Sequence, residues 1–368
     1  MTKIILLDVD GVLVHPGGYR AALRATVRHF LGDHFEVHED LLTELEKRGI
    51  SSEWDMAPLI IAAVWTEQLS GGTMHDLPFD VATSAKRLKH VDRNDTAIAI
   101  PEFKLVDGQY PAHSAFEAGH FSSIPMQLRR SLLTTTRNVQ ASHTMRIFQH
   151  YTLGSANFEK TYELPAEIET ESLLLTEDQP MIDEEIRSSL IKHHLAAFTA
   201  RPSGVPREVT ESTIGYAPEA ELALKLVELE NIPLLAFGKL EYLAAQHGLD
   251  PASLIKPSPF HALAATLAAW TGDEWSALQA AYRWRESNSL DGSFKELPQE
   301  FELIIVEDTM GGIRSVRGAA EIFQKAGIDV HVRALGLTSG SSAKSIAFQQ
   351  AGVQYFEQWD AVIQGMDL

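Results

Sequence analysis

The chain has 368 residues, 45% of them hydrophobic and 22% charged, with 50 acidic against 31 basic side chains and a formal net charge of -19. That balance argues against nucleic acid and anionic membrane surfaces as partners, while a local site with Mg²⁺ can still take a small phosphorylated metabolite. The absence of cysteine excludes disulfides, thiolate catalysis and cysteine-ligated metals.

No signal peptide and no transmembrane run is read from the sequence, so a soluble cytoplasmic protein is the expectation. The length suggests about two to three domains. The chain opens on KIILLDVDGVL, in which Ile4 to Leu7 form an unbroken apolar run, the mark of a strand buried on both faces of a parallel sheet. Asp8 and Asp10 follow two positions apart, so both can project the same way from the strand's carboxyl end, and Gly11 permits a sharp turn. Two carboxylates so placed suit a nucleophile and an acid/base pair screened by a cation. An ordinary solvated turn is the plainer alternative.

Pro16, Gly17 and Gly18 suggest a hinge. Helical patterns follow over Tyr19–Leu31, Asp40–Arg48 and Glu53–Leu69, the last with a core face through Trp54, Leu59, Ile61, Ala62 and Trp65 and closed by Gly71 and Gly72. Residues 101–125 lose periodicity and are expected as a long loop. Helix returns over Met126–Gln149, and the LLLT run at 173–176 suggests a short strand.

From Met181 onward helices and strands alternate. Strands are expected at 195–199, 232–237, 302–306, 329–335 and 353–356, with helices between them. Such alternation implies an α/β protein with a doubly wound parallel sheet. The first strand has to join that sheet, which makes 16–184 a mainly helical insertion within a catalytic core formed by 1–15 plus 185–368.

Three more stretches end on chemistry-bearing residues. In FTARPSG, the Thr199 hydroxyl and the following N–H of Ala200 could hold a phosphate oxygen. In LIKPSPF, Lys256 offers a point charge for phosphate and for pairing with Asp8. In IIVEDTMGG, Glu307 and Asp308 are hard oxygen ligands suited to Mg²⁺. Ligands of open α/β sheets bind beyond the strands' carboxyl ends, where each acidic or hydroxyl group here sits. Taken singly, each has a plainer reading: a strand terminus, a solvated lysine, a helix start.

In their order, DVDGVL, Thr199, Lys256 and Glu307-Asp308 resemble the four motifs of the haloacid dehalogenase (HAD) superfamily. The acidic pair followed by TMGG is similar to the branch that contains β-phosphoglucomutase and phosphoglycolate phosphatase. The resemblance covers the first 15 residues and roughly 185–368. It implies a Rossmann-like core with a cap domain inserted after the first motif, and the insertion here is longer than a plain four-helix cap.

The resemblance implies an aspartyl-phosphate at Asp8, Asp10 as acid and then base, and phosphoryl oxygens held by Thr199, Ala200 and Lys256. It also implies Mg²⁺ held by Asp8, the Asp10 carbonyl, Asp308 and Glu307. Dehalogenase members lack the second acid, so Asp10 argues against dehalogenase activity, and the expectation is a phosphatase. The alternatives are a phosphomutase, for which Arg20, Arg24 and Arg28 on one helix face could grip a second phosphate, and a non-catalytic protein of the same fold. Arg201 either contacts substrate or caps its loop, the structural role being preferred. The substrate and the oligomeric state stay open.

Overall fold

The structure is a computed structural model that describes residues 1–70, 77–91, 98–210 and 214–368. Its contacts divide the chain into two compact units, one of residues 1–16 plus 178–368 and one of 17–177. Gly71 and Gly72 lie outside the described residues.

Eight strands are described: β1 (Thr2–Leu7), β2 (Val14–His15), β3 (Gln179–Pro180), β4 (His194–Phe198), β5 (Leu234–Leu235), β6 (Glu300–Glu307), β7 (Asp329–Leu337) and β8 (Gln354–Phe356). Six of them form one parallel sheet in the order β5-β4-β1-β6-β7-β8. Leaving out the small antiparallel pair β2-β3, that order is 3-2-1-4-5-6, the doubly wound Rossmann arrangement. The fold is thus α/β, as expected, with β1 at the point where the strand order reverses.

The apolar run in β1 explains its central place. Ile4 and Leu6 pack into one core with Phe198, Leu303 and Ile305. Ile5 and Leu7 point the other way, into a second core with Ala197, Ile304 and Val306. A strand with two buried faces needs a helical layer on each. The register sets Leu7 opposite Ala197 on one side and Val306 on the other, so the chain beyond Leu7 emerges between the ends of β4 and β6.

The second unit contains helices α1 (Gly18–Leu31), α2 (Glu39–Lys47), α3 (Glu53–Ser70), α4 (Val81–Leu88), α5 (Pro111–Glu117), α6 (Met126–Leu133), α7 (His143–Leu153), α8 (Ser155–Tyr162) and α9 (Leu173–Glu177). The sheet's helices are α10 (Glu184–Leu190), α11 (Glu219–Leu226), α12 (Phe237–His247), α13 (Pro259–Thr271), α14 (Glu274–Ser287), α15 (Met310–Lys325), α16 (Ser342–Gln350) and α17 (Trp359–Gly365). Among the described residues no helix is long and apolar enough to cross a membrane.

Several expectations are corrected. The LLLT run is helical, the start of α9, and the stretch 101–125 contains α5. The helix expected over 126–149 is broken between α6 and α7, where the Asn138 side chain accepts the N–H groups of Gln140 and Ala141 and Ser142 caps α7. The strand expected over 232–237 shrinks to Leu234–Leu235. The division between the two units falls between Pro16 and Gly17, and a Cβ at Gly18 would come within 2.7 Å of the Leu174 Cα.

The row Arg20, Arg24 and Arg28 is also committed inside this unit. Arg20 pairs with Glu46 and Glu53, Arg24 with Glu39 at 2.5 Å, and Arg28 donates to the Phe35 carbonyl at 3.3 Å. These contacts lash α1 to the segment that carries α2 and to the start of α3.

Candidate active site

Asp8 follows β1 directly, and its backbone N–H continues the ladder to the Val306 carbonyl at 3.0 Å. The side chain is buried, and one of its oxygens accepts the Val9 N–H at 2.8 Å. The Lys256 ammonium reaches it at 2.8 Å from the loop ahead of α13. The same ammonium lies 2.6 Å from Glu307, the last residue of β6, and 3.5 Å from the Phe198 carbonyl at the end of β4. One lysine therefore ties together three strand ends.

Glu307 is fully buried, and its other oxygen accepts the N–H and the hydroxyl of Thr309, both at 3.0 Å, at the start of α15. Asp308 is paired with Lys344 of α16 at 2.6 Å. Carboxylate oxygens of Asp8, Glu307 and Asp308 all lie within 4.8 Å of one another. Gly11, at φ +70°, leaves the space that Asp308 fills, because a Cβ there would collide with that carboxylate.

The electrostatics follow from these contacts. Burial pushes Asp8 up to about 7, the neighbouring Glu307 charge adds to the rise, and Lys256, shared with Glu307, offsets it only in part. Burial alone would lower Lys256, yet Asp8 and Glu307 outweigh it and raise the ammonium above its usual range. Asp308 is raised as well, by burial first and then by Asp8, against the pull of Lys344. Three carboxylates thus share two lysines, which leaves the cluster short of positive charge.

A cation fits that shortage. The donors are hard oxygens of the kind Mg²⁺ prefers, with Asp8 and Asp308 the better placed, since the oxygens of Glu307 are occupied by Lys256 and Thr309.

Asp10 is held differently. Arg201 donates to it from Nε at 2.9 Å to both oxygens and from Nη2 at 2.5 Å, and the same Nη2 meets the buried Asp178 at 2.9 Å. Arg201 is itself buried, and its N–H donates to the Thr199 hydroxyl at 3.3 Å. Thr199 is buried beside β5, donating its N–H to the Leu235 carbonyl at 3.0 Å, while Ala200 is exposed at the start of the loop.

The structure therefore gathers Asp8, Lys256, Glu307 and Asp308 into one cluster. Asp10 stands beside it under Arg201, with Thr199 and Ala200 on the adjoining turn. Lys344 and Asp178 went unremarked in the sequence, and Arg201, read there as a substrate contact or a loop cap with the structural role preferred, instead bridges Asp10 and Asp178. Lys344 lies in a serine-rich helix start with no recognisable motif. Asp178 lies where the chain returns to the sheet, a place that only the fold reveals.

No protein-family model matches the chain, and no curated protein matches it. A solved structure does match: an X-ray structure described as a Northeast Structural Genomics Consortium target superposes with a TM-score of 0.64, covering 99% of each chain at 14% identity. The likeness is one of fold alone.

Proposed function

We propose that the chain is a Mg²⁺-dependent phosphohydrolase of the HAD type, acting on a small phosphorylated metabolite through an aspartyl-phosphate. The observation that carries the reading is the cluster at the β1 and β6 ends: a buried carboxylate beside a shared lysine, two further carboxylates within 4.8 Å and a second acid two residues on.

Asp8 attacks phosphorus, and the bond to the leaving oxygen breaks as the new one forms. Asp10 gives that oxygen a proton and later takes one from the hydrolytic water. Lys256 holds a transferring phosphoryl oxygen from the side of Phe198, and Thr199 and the Ala200 N–H hold others. Asp8, the Asp10 carbonyl and Asp308 would hold Mg²⁺, with Glu307 acting directly or through water. When bound, the ion neutralises charge between nucleophile and phosphate. Arg201 holds the Asp10 carboxylate in the resting arrangement and has to release it before Asp10 can carry the proton it gives.

Hydrolysis is favoured over phosphoryl return to a sugar by the fate of Arg20, Arg24 and Arg28, which are engaged by carboxylates or carbonyls of their own unit. The inserted unit 17–177 acts in this reading as a cap that contributes substrate contacts. Substrate should then slow hydrogen exchange in that unit, and unchanged exchange there would contradict the cap role.

The test of the function is a screen of phosphorylated metabolites with and without Mg²⁺. Release of inorganic phosphate that EDTA abolishes supports it. With a hexose 1-phosphate and a trace of its bisphosphate, a 6-phosphate formed without inorganic phosphate would favour the mutase instead.

A further inference from the structure

Behind Lys256 lies a fully buried histidine that the proposed chemistry does not use. His261, in the first turn of α13, accepts the Lys256 backbone N–H on Nδ1 at 3.2 Å. Its Nε2 lies 3.0 Å from the Leu235 carbonyl at the end of β5. A carbonyl can only accept, so the hydrogen bonds assign the proton to Nε2 and leave Nδ1 bare, a neutral ring fixed from both sides. Burial agrees with that assignment, pushing the imidazole down to about 3. The ring also packs 4.3 Å from Phe198, centroid to centroid, and the Phe198 ring centre lies 5.1 Å from the Lys256 ammonium.

We propose that His261 is the positioning residue for Lys256, pinning its backbone to β5 so that the ammonium meets Asp8 and Glu307 together. The inference rests on Lys256 being the cation that holds the phosphoryl group. A lysine reaches its target through four flexible carbons, so its aim depends on where its Cα is anchored. Misplacement of a catalytic group by about 1 Å can cost about a hundredfold in rate. The sequence hides this role, because a lone histidine inside an apolar helix is ordinarily a core residue.

Two substitutions separate the ring's two bonds. In His261→Asn the side-chain oxygen falls near the Nδ1 position and keeps the contact to Lys256. In His261→Gln the amide falls near Nε2 and keeps only the contact to Leu235. The first readout is the ¹⁵N resonance of the Lys256 ammonium, which does not depend on any activity. Positioning predicts a wild-type-like ammonium signal in His261→Asn and its loss in His261→Gln. Calorimetry with inorganic phosphate and Mg²⁺ should show affinity within about threefold of wild type for the first and about tenfold weaker for the second, a difference of about 1.4 kcal/mol per decade. If the two variants behave alike, the role is merely structural and the proposal is overturned.

The imidazole ¹⁵N shifts of the unsubstituted protein give a check that no folding failure can spoil: a proton found on Nδ1 overturns the assignment. If the ammonium asymmetry appears while wild type binds no phosphate, the positioning role stands and the phosphatase reading falls.

Discussion

Burial of Asp8 beside Glu307, offset only in part by the Lys256 they share, governs how the protein should respond to pH. Asp8 is raised from 3.8 to about 7, by burial and then by Glu307. Between those values the folded chain keeps a proton that the unfolded chain releases. Stability from this group is therefore full below about pH 4 and is lost as pH rises through about 7, a change of about 4 kcal/mol. In Mg²⁺-free buffer, Asp8→Asn should be more stable than wild type near pH 8 and converge with it near pH 4 in denaturant titrations. Parallel curves would show that Asp8 is not under this strain.

Arg201 joins two carboxylates in a buried site, so Arg201→Met should cost about 3–5 kcal/mol of stability, as breaking a buried ion pair does, read as a fall in the denaturation midpoint. At Gly11 an alanine would adopt the left-handed region at a cost of about 1–2 kcal/mol and would push against Asp308. Gly11→Ala should accordingly raise the Mg²⁺ concentration needed for half-maximal activity. Asp8, Asp10, Lys256, Glu307 and Asp308 were legible in the sequence because each sits at or just beyond a strand end or on a short motif-bearing loop. Lys344, Asp178 and His261 were not, since their roles depend on which loops the sheet brings together.

At the scale of elements, β1 holds the fold by sending alternate residues into two cores. Leu6→Ala should cost about 2–5 kcal/mol, and a loss under about 1 kcal/mol would mean that the site can collapse around the gap. Its apolar run was plain in the sequence, since an unbroken run of β-branched and leucine residues ending in aspartate fits a central parallel strand. The run at 173–176 was not, because three leucines and a threonine carry no period, and the close approach of Gly18 to Leu174 shows only in the fold. The break between α6 and α7 was missed too, although Asn138 and Ser142 in the polar stretch 134–142 supply the local hydrogen bonds that compete with a helix.

The arginine row on α1, which the mutase alternative would use for a second phosphate, is engaged instead by carboxylates and a carbonyl of its own unit. Arg24→Gln should leave KM for the phosphorylated substrate within about twofold and cost about 1 kcal/mol or less, as half-exposed ion pairs do.

At the scale of the molecule, the strand order places β1 where the sheet reverses direction, and the crevice there is where doubly wound folds bind ligands. The alternation of helices and strands after Met181 made the doubly wound class readable, and the first strand had to join that sheet across the long insertion, but the order of the strands comes from their pairing. The fold likeness at 14% identity agrees with the architecture and is silent on chemistry. In the proposed reaction Asp8 carries the phosphoryl group during turnover. Borohydride added during steady-state turnover, followed by mass spectrometry of the N-terminal peptide, tests this directly. The expected result is reduction of Asp8 to homoserine, dependent on substrate and Mg²⁺ and absent in Asp8→Asn. Undiminished phosphate release by Asp8→Asn, with no reduced residue at position 8 in wild type, would contradict it.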